Sequence, residues 1–196
     1  MTIDLTRVAG RTCDLRLADW VRIVAKKHRT SPTGAGHGSS RFSSPSRSFT
    51  VLYAAASFRT AFAEAFIRDR LVGAPARVIF RDELDDLHVA TLSSEPLHLV
   101  DLRGSAAYDL GVDTDAPRAR DHHPGQIFSQ AVHDGLPRLD GILYDSRLTA
   151  EPCVAVYERS LDKLYAAGHA TPATRAPELH AELARLEIIV RPRRGV

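Results

Sequence analysis

Apolar and polar positions alternate along much of this chain with a period near two, broken by a few stretches of helical period. Residues 20–24 (WVRIV) and 51–55 (VLYAA) carry the β-branched and aromatic residues of short strands. So do residues 76–80 (ARVIF), 87–92 (LHVATL) and 97–102 (LHLVDL). Two late runs, 141–145 (GILYD) and 153–158 (CVAVYE), are separated by a polar connection of hairpin length. Phe58, Ala61, Phe62, Ala65 and Phe66 recur at helical spacing. They predict a helix from an N-cap at Ser57 to about Leu71, stopped by Gly73 and Pro75. Such a helix buries all five and leaves Glu64 off the apolar stripe. Ser105 to Leu110 reads as a short helix. Gly125 to Asp134 reads as a longer one, with Ile127, Phe128, Ala131 and Val132 facing inward and Gly135 and Pro137 ending it. Pro177 opens a last helix to about Leu186, and Glu187 to Val190 adds an edge strand.

The remaining segments are irregular. Residues 1–19 show no clear period and read as a lead-in segment or short helix. Residues 29–49 (RTSPTGAGHGSSRFSSPSRSF) are rich in Gly, Ser and Pro and form a long loop by composition. A loop of that length inside a domain is uncommon, and such loops are often functional. Pro117 to Pro124 is a polar loop, and residues 161–177 are loosely patterned. No internal repeat is present. Short strands at irregular spacing argue against a doubly wound array, which leaves one α+β (mixed α/β) domain.

Length and composition agree with that. The 196 residues suffice for one domain of ordinary size. With 44% apolar and 26% charged residues, neither global disorder nor a fibrous rod fits. No apolar run approaches the roughly 20 residues that span a bilayer, and MTIDLTRVAG carries no apolar signal core. Cys13 and Cys153 are too few for a disulfide framework or a four-Cys zinc site, so a reducing cytoplasm is the expected setting. The formal net charge of +2 is too even to argue for nucleic acid. Lysine occurs only at Lys26, Lys27 and Lys163, so arginine supplies almost all the positive charge. Arginine suits bidentate recognition of phosphate; a high-GC genome accounts for the same bias.

Several familiar patterns fail on inspection. Gly34, Gly36 and Gly38 precede neither a Gly-Lys-Ser/Thr nor a helix, so no phosphate loop is formed. The adjacent His122 and His123 point to different sides and lack a third ligand at metal spacing. Ser146 does not sit in a Gly-x-Ser-x-Gly elbow, which weakens a triad with His133. Asp82, Glu83, Asp85 and Asp86 read as a solvated turn, and the late RPRR segment as a solvated basic tail.

An ordered set of segments carries more. VRIV (21–24), GSSRF (38–42), VLYAAAS (51–57), AFAEA (61–65), HLVDL (98–102) and DGILYDSR (140–147) before CVAVY resemble the RES-domain family over roughly residues 20–160. The resemblance divides the chain into a lead-in of 1–19, a catalytic domain of 20–160, and an extension of 161–196 packed on the same domain. It implies a fold similar to that of ADP-ribosyltransferases. It implies a cytoplasmic toxin enzyme that cleaves NAD+ at the nicotinamide–ribose bond, as an NAD+ phosphorylase or glycohydrolase, and is neutralised by an Xre-type antitoxin. NAD+ would be substrate, inorganic phosphate a candidate co-substrate, and no resident cofactor or metal is implied. A homodimer is compatible with the family; a membrane or a nucleic acid is not an expected partner. By position, Arg22 and Arg41 match the family arginines, Tyr53 the strand tyrosine, Glu64 the helix glutamate and Ser146 the late serine. Ser40 and Ser43 depart from the family's usual Gly and Asn.

The chemistry that the resemblance implies is coherent. Departure of neutral nicotinamide builds positive charge on the ribose, which an ionised Glu64 would favour without any general acid. Arg22 and Arg41 would clamp the diphosphate. Tyr53 would stack on the nicotinamide or bond the ribose, and Ser146 would orient the ribose or the nicotinamide amide. Tyr144 shares a strand face with Ile142 and Ser146 and would line the same pocket, with Arg47 and Arg147 as reserve phosphate ligands and Gln126 as a wall residue. Each residue also has a plainer reading. Glu64 and Arg68 are spaced for an i,i+4 pair worth about 0.2–0.5 kcal/mol. Arg22 is also readable as an edge charge, Arg41 as one loop arginine among several, Tyr53 as core and Ser146 as a turn residue. Two other functions stay open here: a protein ADP-ribosyltransferase using the same pocket, and a non-catalytic nucleic-acid-binding or regulatory module.

Overall fold

A computed structural model describes residues 3–74, 76–110 and 122–192. Pro75, most of the Pro117–Pro124 segment and Arg193 and Arg194 of the RPRR segment lie outside these residues. Helix α1 (Leu5–Ala9) is capped by Asp4, whose Oδ1 accepts from the amides of Thr6 and Arg7. Strands β1 (Thr12–Leu15) and β2 (Trp20–Ala25) follow. The long loop then leads to β3 (Val51–Ala55). The next helical run has three parts. These are α2 (Phe58–Phe62), a π-helical turn (Ala63–Ile67) and α3 (Arg68–Arg70). Next come β4 (Val78–Phe80), α4 (Arg81–Asp85), β5 (Leu87–Ser94), β6 (Leu97–Asp101) and α5 (Ala106–Asp109). Helix α6 (His123–Gly135) precedes the hairpin of β7 (Gly141–Asp145) and β8 (Pro152–Tyr157). The chain closes with β9 (Leu164–Ala166), β10 (Thr171–Pro172), α7 (Pro177–Arg185) and β11 (Ile189–Arg191).

One mixed sheet organises this α+β domain. Its strand order is β1-β6-β7-β8-β3-β2-β5-β10, with β9 also paired to β5. All its pairings are antiparallel except β6 with β7. A separate parallel pair joins β11 to β4. Alternation along β8 sends Cys153, Ala155 and Tyr157 to one face and Val154 and Val156 to the other. The first face packs under α1, α6 and the long loop through Val8, Phe42, Phe49, Phe128 and Val132. The second buries Leu17, Trp20, Leu52, Leu92 and Leu97. A third cluster joins α2 and the π turn to α4 and α7 through Phe58, Phe62, Phe66, Ile79, Leu84 and Leu179.

The junction of β2 and β3 positions the site. β2 matches β5 at six positions, Trp20 to Ala25 against Leu92 to Leu87. It meets β3 only where Val21 lies opposite Ala55. The two strands diverge over the rest of their length, and the sheet opens a cleft there.

Four expectations are corrected. Ala65 is exposed and Ala63 is buried instead, because the π turn holds an extra residue and rotates the apolar stripe past its 3.6-residue position. Helix α6 begins at His123, two residues early, with Pro124 in its first turn where the missing N–H costs nothing. Its buried face is Gly125, Phe128, Ser129 and Val132, while Ile127 and Ala131 are only half-buried. The acidic run at 82–86 is largely helical: α4 is closed by Glu83, whose Oε2 accepts from the Phe80 amide at 2.9 Å. Strand β1 and the pair β9 and β10 lie in segments without clear period. They sit at the edges or outside the main strand path, where an alternating pattern is not required.

Candidate active site

A cavity of about 330 Å³ occupies the cleft between β2 and β3, within the range of ligand pockets. Strand β2 contributes Val21, Arg22 and Ile23, and β3 contributes Tyr53, Ala54 and Ala55. The helical run supplies Ala61, Glu64, Ala65, Arg68 and Asp69, and the long loop supplies Ser40 and Arg41. Tyr144 of β7 and Cys153 of β8 form the floor. Five of the six site residues expected from the sequence therefore line one cavity; Ser146 lies behind its wall.

Glu64 is held from two sides. Ser146 Oγ donates to Glu64 Oε1 at 2.7 Å, and Arg68 donates to Oε2 at 3.1 Å. Ser146 is 2% exposed, and its hydroxyl oxygen also accepts from the amides of Leu148 at 3.2 Å and Thr149 at 3.4 Å. A hydroxyl so committed orients a carboxylate and is not available as a nucleophile. The π turn aims Glu64 inward: on a regular helix the apolar stripe would have continued through Ala65. The turn carrying Ser146 is in turn pinned to the start of α2. Glu151 accepts hydrogen bonds from Ser57 and Thr60, and Thr60 also bonds Thr149 at 2.8 Å. Those hydroxyls hold the Glu151 carboxyl below the usual range.

The cationic wall has few partners. Arg22 gives one hydrogen bond, to the Pro32 carbonyl at 3.0 Å. Burial lowers its pKa to about 10, so it stays charged at neutral pH at a cost. Arg41 lies 5.8 Å from the Phe42 ring and 5.9 Å from the Tyr144 ring. Among the described residues neither arginine forms an ion pair. Arg147 is not in the wall, but Arg41, Arg68 and Glu64 all act on its charge, and burial lowers its pKa to about 10. Burial pushes Tyr53 and Cys153 up to about 12 and Tyr144 well above its ordinary value, so all three remain neutral.

The Tyr53 hydroxyl is already engaged: it accepts from the Phe42 amide at 3.1 Å and shares a hydrogen bond with Ser43 at 3.4 Å. Its ring, not its hydroxyl, faces the remaining work. Ser43, in place of the family's Asn, supplies that bond. Ser40 is not among the four described non-glycine residues with positive φ, so a serine fits there without strain. Gln126 bonds the Ser39 and Ser40 carbonyls, and His122 bonds the Ser39 carbonyl. His133 bonds Asp134 and Glu158 and not Ser146. Arg47 is exposed and does not line the cavity. Spacing along the chain pointed to Arg68 only as a pairing partner of Glu64; the structure makes it both partner and cavity wall. Glu151 had no signal in the chain, because its contacts span 91 and more positions.

Comparison with known proteins bears on the family and the fold. The model of the RES domain matches residues 18–178. A curated protein named "Probable toxin y4kH", from Sinorhizobium fredii, is 39% identical over 102 residues, covering 50% of this chain and 79% of that protein. Among solved structures, the M. tuberculosis MbcT-MbcA toxin-antitoxin complex holds a chain of similar fold. Its TM-score is 0.66 at 19% identity, covering 87% of this chain and 93% of that one.

Proposed function

The chain belongs to the RES domain family, and from that premise we propose that it is a toxin enzyme that breaks the nicotinamide–ribose bond of NAD+. The observation that carries the reading is the pairing of one oriented carboxylate with two unpaired arginines across a single cavity. The C1–N bond breaks with its electron pair passing to the nicotinamide nitrogen, which leaves neutral. Glu64 stabilises the positive charge that develops on the ribose, by hydrogen bonding a ribose hydroxyl. Arg22 and Arg41 take the diphosphate through charge-assisted bonds. The Tyr53 and Tyr144 rings flank the nicotinamide. The acceptor oxygen then bonds C1, giving ADP-ribose from water or its 1-phosphate from phosphate. Arg41 and Arg68 line the cavity together with Glu64, which favours an anionic acceptor and hence phosphate.

The reading extends to partners. Relatives named as toxins, one of them in complex with an antitoxin, support an antitoxin that blocks this cavity. NAD+ as the proposed substrate supports activity in the cytoplasm. Among the described residues no helix is long and apolar enough to cross a membrane.

The test is incubation of the purified chain with NAD+, with and without phosphate, and mass spectrometry of the products. Nicotinamide together with a phosphorylated ADP-ribose that appears only with phosphate is the expected outcome. Plain ADP-ribose would make water the acceptor, and label from NAD+ on protein would make the chain a transferase. Nicotinamide release that persists in Glu64→Gln overturns the assignment of Glu64.

A further inference from the structure

The long loop lies along α6 and is fastened to it step by step. His122 Nδ1 donates to the Ser39 carbonyl at 2.7 Å. Gln126 Nε2 donates to the carbonyls of Ser39 at 3.3 Å and Ser40 at 3.2 Å. Ser129 Oγ donates to the Phe42 carbonyl at 2.8 Å. Gln130 Oε1 accepts from Ser44 at 2.9 Å and Ser46 at 3.1 Å. The His133 ring stacks on Phe49 with centroids 4.1 Å apart. Positions 122, 126, 129, 130 and 133 form one face of the helix. Successive turns of α6 therefore hold successive residues of the loop.

Arg41 lies at the closest point of that seam. A Cβ on Gly125 would stand 2.5 Å from Arg41 Cγ and 2.7 Å from the Arg41 carbonyl oxygen. The second of these is a backbone atom and cannot swing aside. Gly125 is not among the glycines with positive φ, so conformational freedom does not call for it. Within a helix it also costs roughly 0.5–1 kcal/mol relative to alanine. Its evident role is to let the Arg41 backbone approach.

We propose that Gly125 and Gln126 are positioning residues that set how far Arg41 reaches into the cavity. The assignment rests on the reading of Arg41 as a ligand of the substrate's diphosphate. Gly125 fixes the distance of the Arg41 backbone from the helix, and Gln126 fixes the height of the loop just before it. The guanidinium then lies over Phe42 and Tyr144 at the cavity wall.

The test compares wild type, Gly125→Ala, Gln126→Leu and Arg41→Gln in the full chain. Turnover of NAD+ is measured beside turnover of nicotinamide riboside, which lacks the diphosphate, and binding of inorganic pyrophosphate is measured by calorimetry. Both positioning variants are expected to raise KM for NAD+ about tenfold, the loss of one charge-assisted contact. They should leave nicotinamide riboside turnover unchanged and weaken pyrophosphate binding, and a chain carrying both Gln126→Leu and Arg41→Gln should lose no more than Arg41→Gln alone. Gln126→Leu keeps a side chain of similar size on a half-buried position and keeps the test standing if Gly125→Ala fails to fold. Wild-type KM and pyrophosphate affinity in both variants overturn the proposal, as does an equal loss on both substrates. Wild-type protein that binds pyrophosphate but releases no nicotinamide overturns the reaction and leaves the positioning of Arg41 to be judged by pyrophosphate alone. If wild type releases nicotinamide but binds no pyrophosphate, the reaction stands and the reading of Arg41 as a diphosphate ligand falls with the positioning proposal.

Discussion

Ser146 and Glu64 lie 82 positions apart in the chain, and their side chains meet at 2.7 Å. The serine hydroxyl donates a hydrogen bond to the carboxylate while its oxygen accepts from two backbone amides of the following turn. It thereby ties the orientation of the carboxylate to the geometry of the β7–β8 connection. Removing it leaves Glu64 held by Arg68 alone.

Ser146→Ala is therefore expected to lower kcat for NAD+ about ten- to hundredfold, the worth of one hydrogen bond to a charged group. KM should change little, since the serine does not line the cavity. Steady-state kinetics separate this from Glu64→Gln, which should abolish turnover. A Ser146→Ala enzyme as inactive as Glu64→Gln would give the serine a direct part in the chemistry.

Arg22 is a half-buried cation held by one carbonyl. Such a group costs the ligand-free protein stability and returns it only when an anion arrives. Arg22→Met is expected to melt at or above the wild-type temperature while losing NAD+ cleavage. Pyrophosphate should raise the melting temperature of wild type and not of the variant, by linkage. A thermal scan with and without pyrophosphate checks both.

Gly141 sits where β7 crosses closest to β8. A Cβ there would stand 2.1 Å from the Ala155 carbonyl oxygen. Both strands are buried on both faces, so neither can yield. Gly141→Ala is expected to destabilise the chain by about 1–3 kcal/mol, as overpacking does, with a lower urea midpoint as the readout. Its activity should fall only in step with the folded fraction.

Asp140 gives a pH signature. Burial opposes its ionisation, yet hydrogen bonds from Lys163, Ser160 and the His98 amide outweigh burial and hold its carboxyl below the usual range. Asp101 and Glu151 are lowered as well, through Arg103 and through Ser57 and Thr60. A carboxyl lowered in the folded state contributes its full stability above the unfolded value of about 4. That contribution is lost as pH falls through the folded value. The melting temperature should therefore be flat near neutrality and drop below about pH 4. Asp140→Asn should melt lower at neutral pH and show a shallower acid drop. An unchanged acid slope would remove Asp140 from this account.

The central strands and the helices at 58, 123 and 177 were legible in the chain, because burial on one or both faces imposes period two or period 3.6. The candidate residues on β2, the loop, β3 and the helix were legible as an ordered motif, but not as a cavity. What makes the cavity is the parting of β2 from β3 after Val21, a tertiary fact with no local pattern. The position of Ala65 was misjudged because a π turn has no propensity signature and shifts phase only where it occurs. The polar face of α6 was hidden for a related reason. Gln126 was read only as a pocket wall and Ser129 and Gln130 fell outside the expected inward face, because their partners lie in a loop more than 80 positions earlier.

The widened turn at Ala63–Ile67 has a further consequence for anyone who alters this chain. A π turn holds one residue more than the α turn it replaces, and so sets the side chains after it at a different angle from those before it. Deleting Ala65 would restore the regular repeat and yield a better-behaved helix whose carboxylate faces elsewhere. Screens that reward thermal resistance would collect such shortened chains, and screens that reward the proposed NAD+ cleavage would discard them. Disagreement between the two screens, mapped along the sequence, would pick out this one turn.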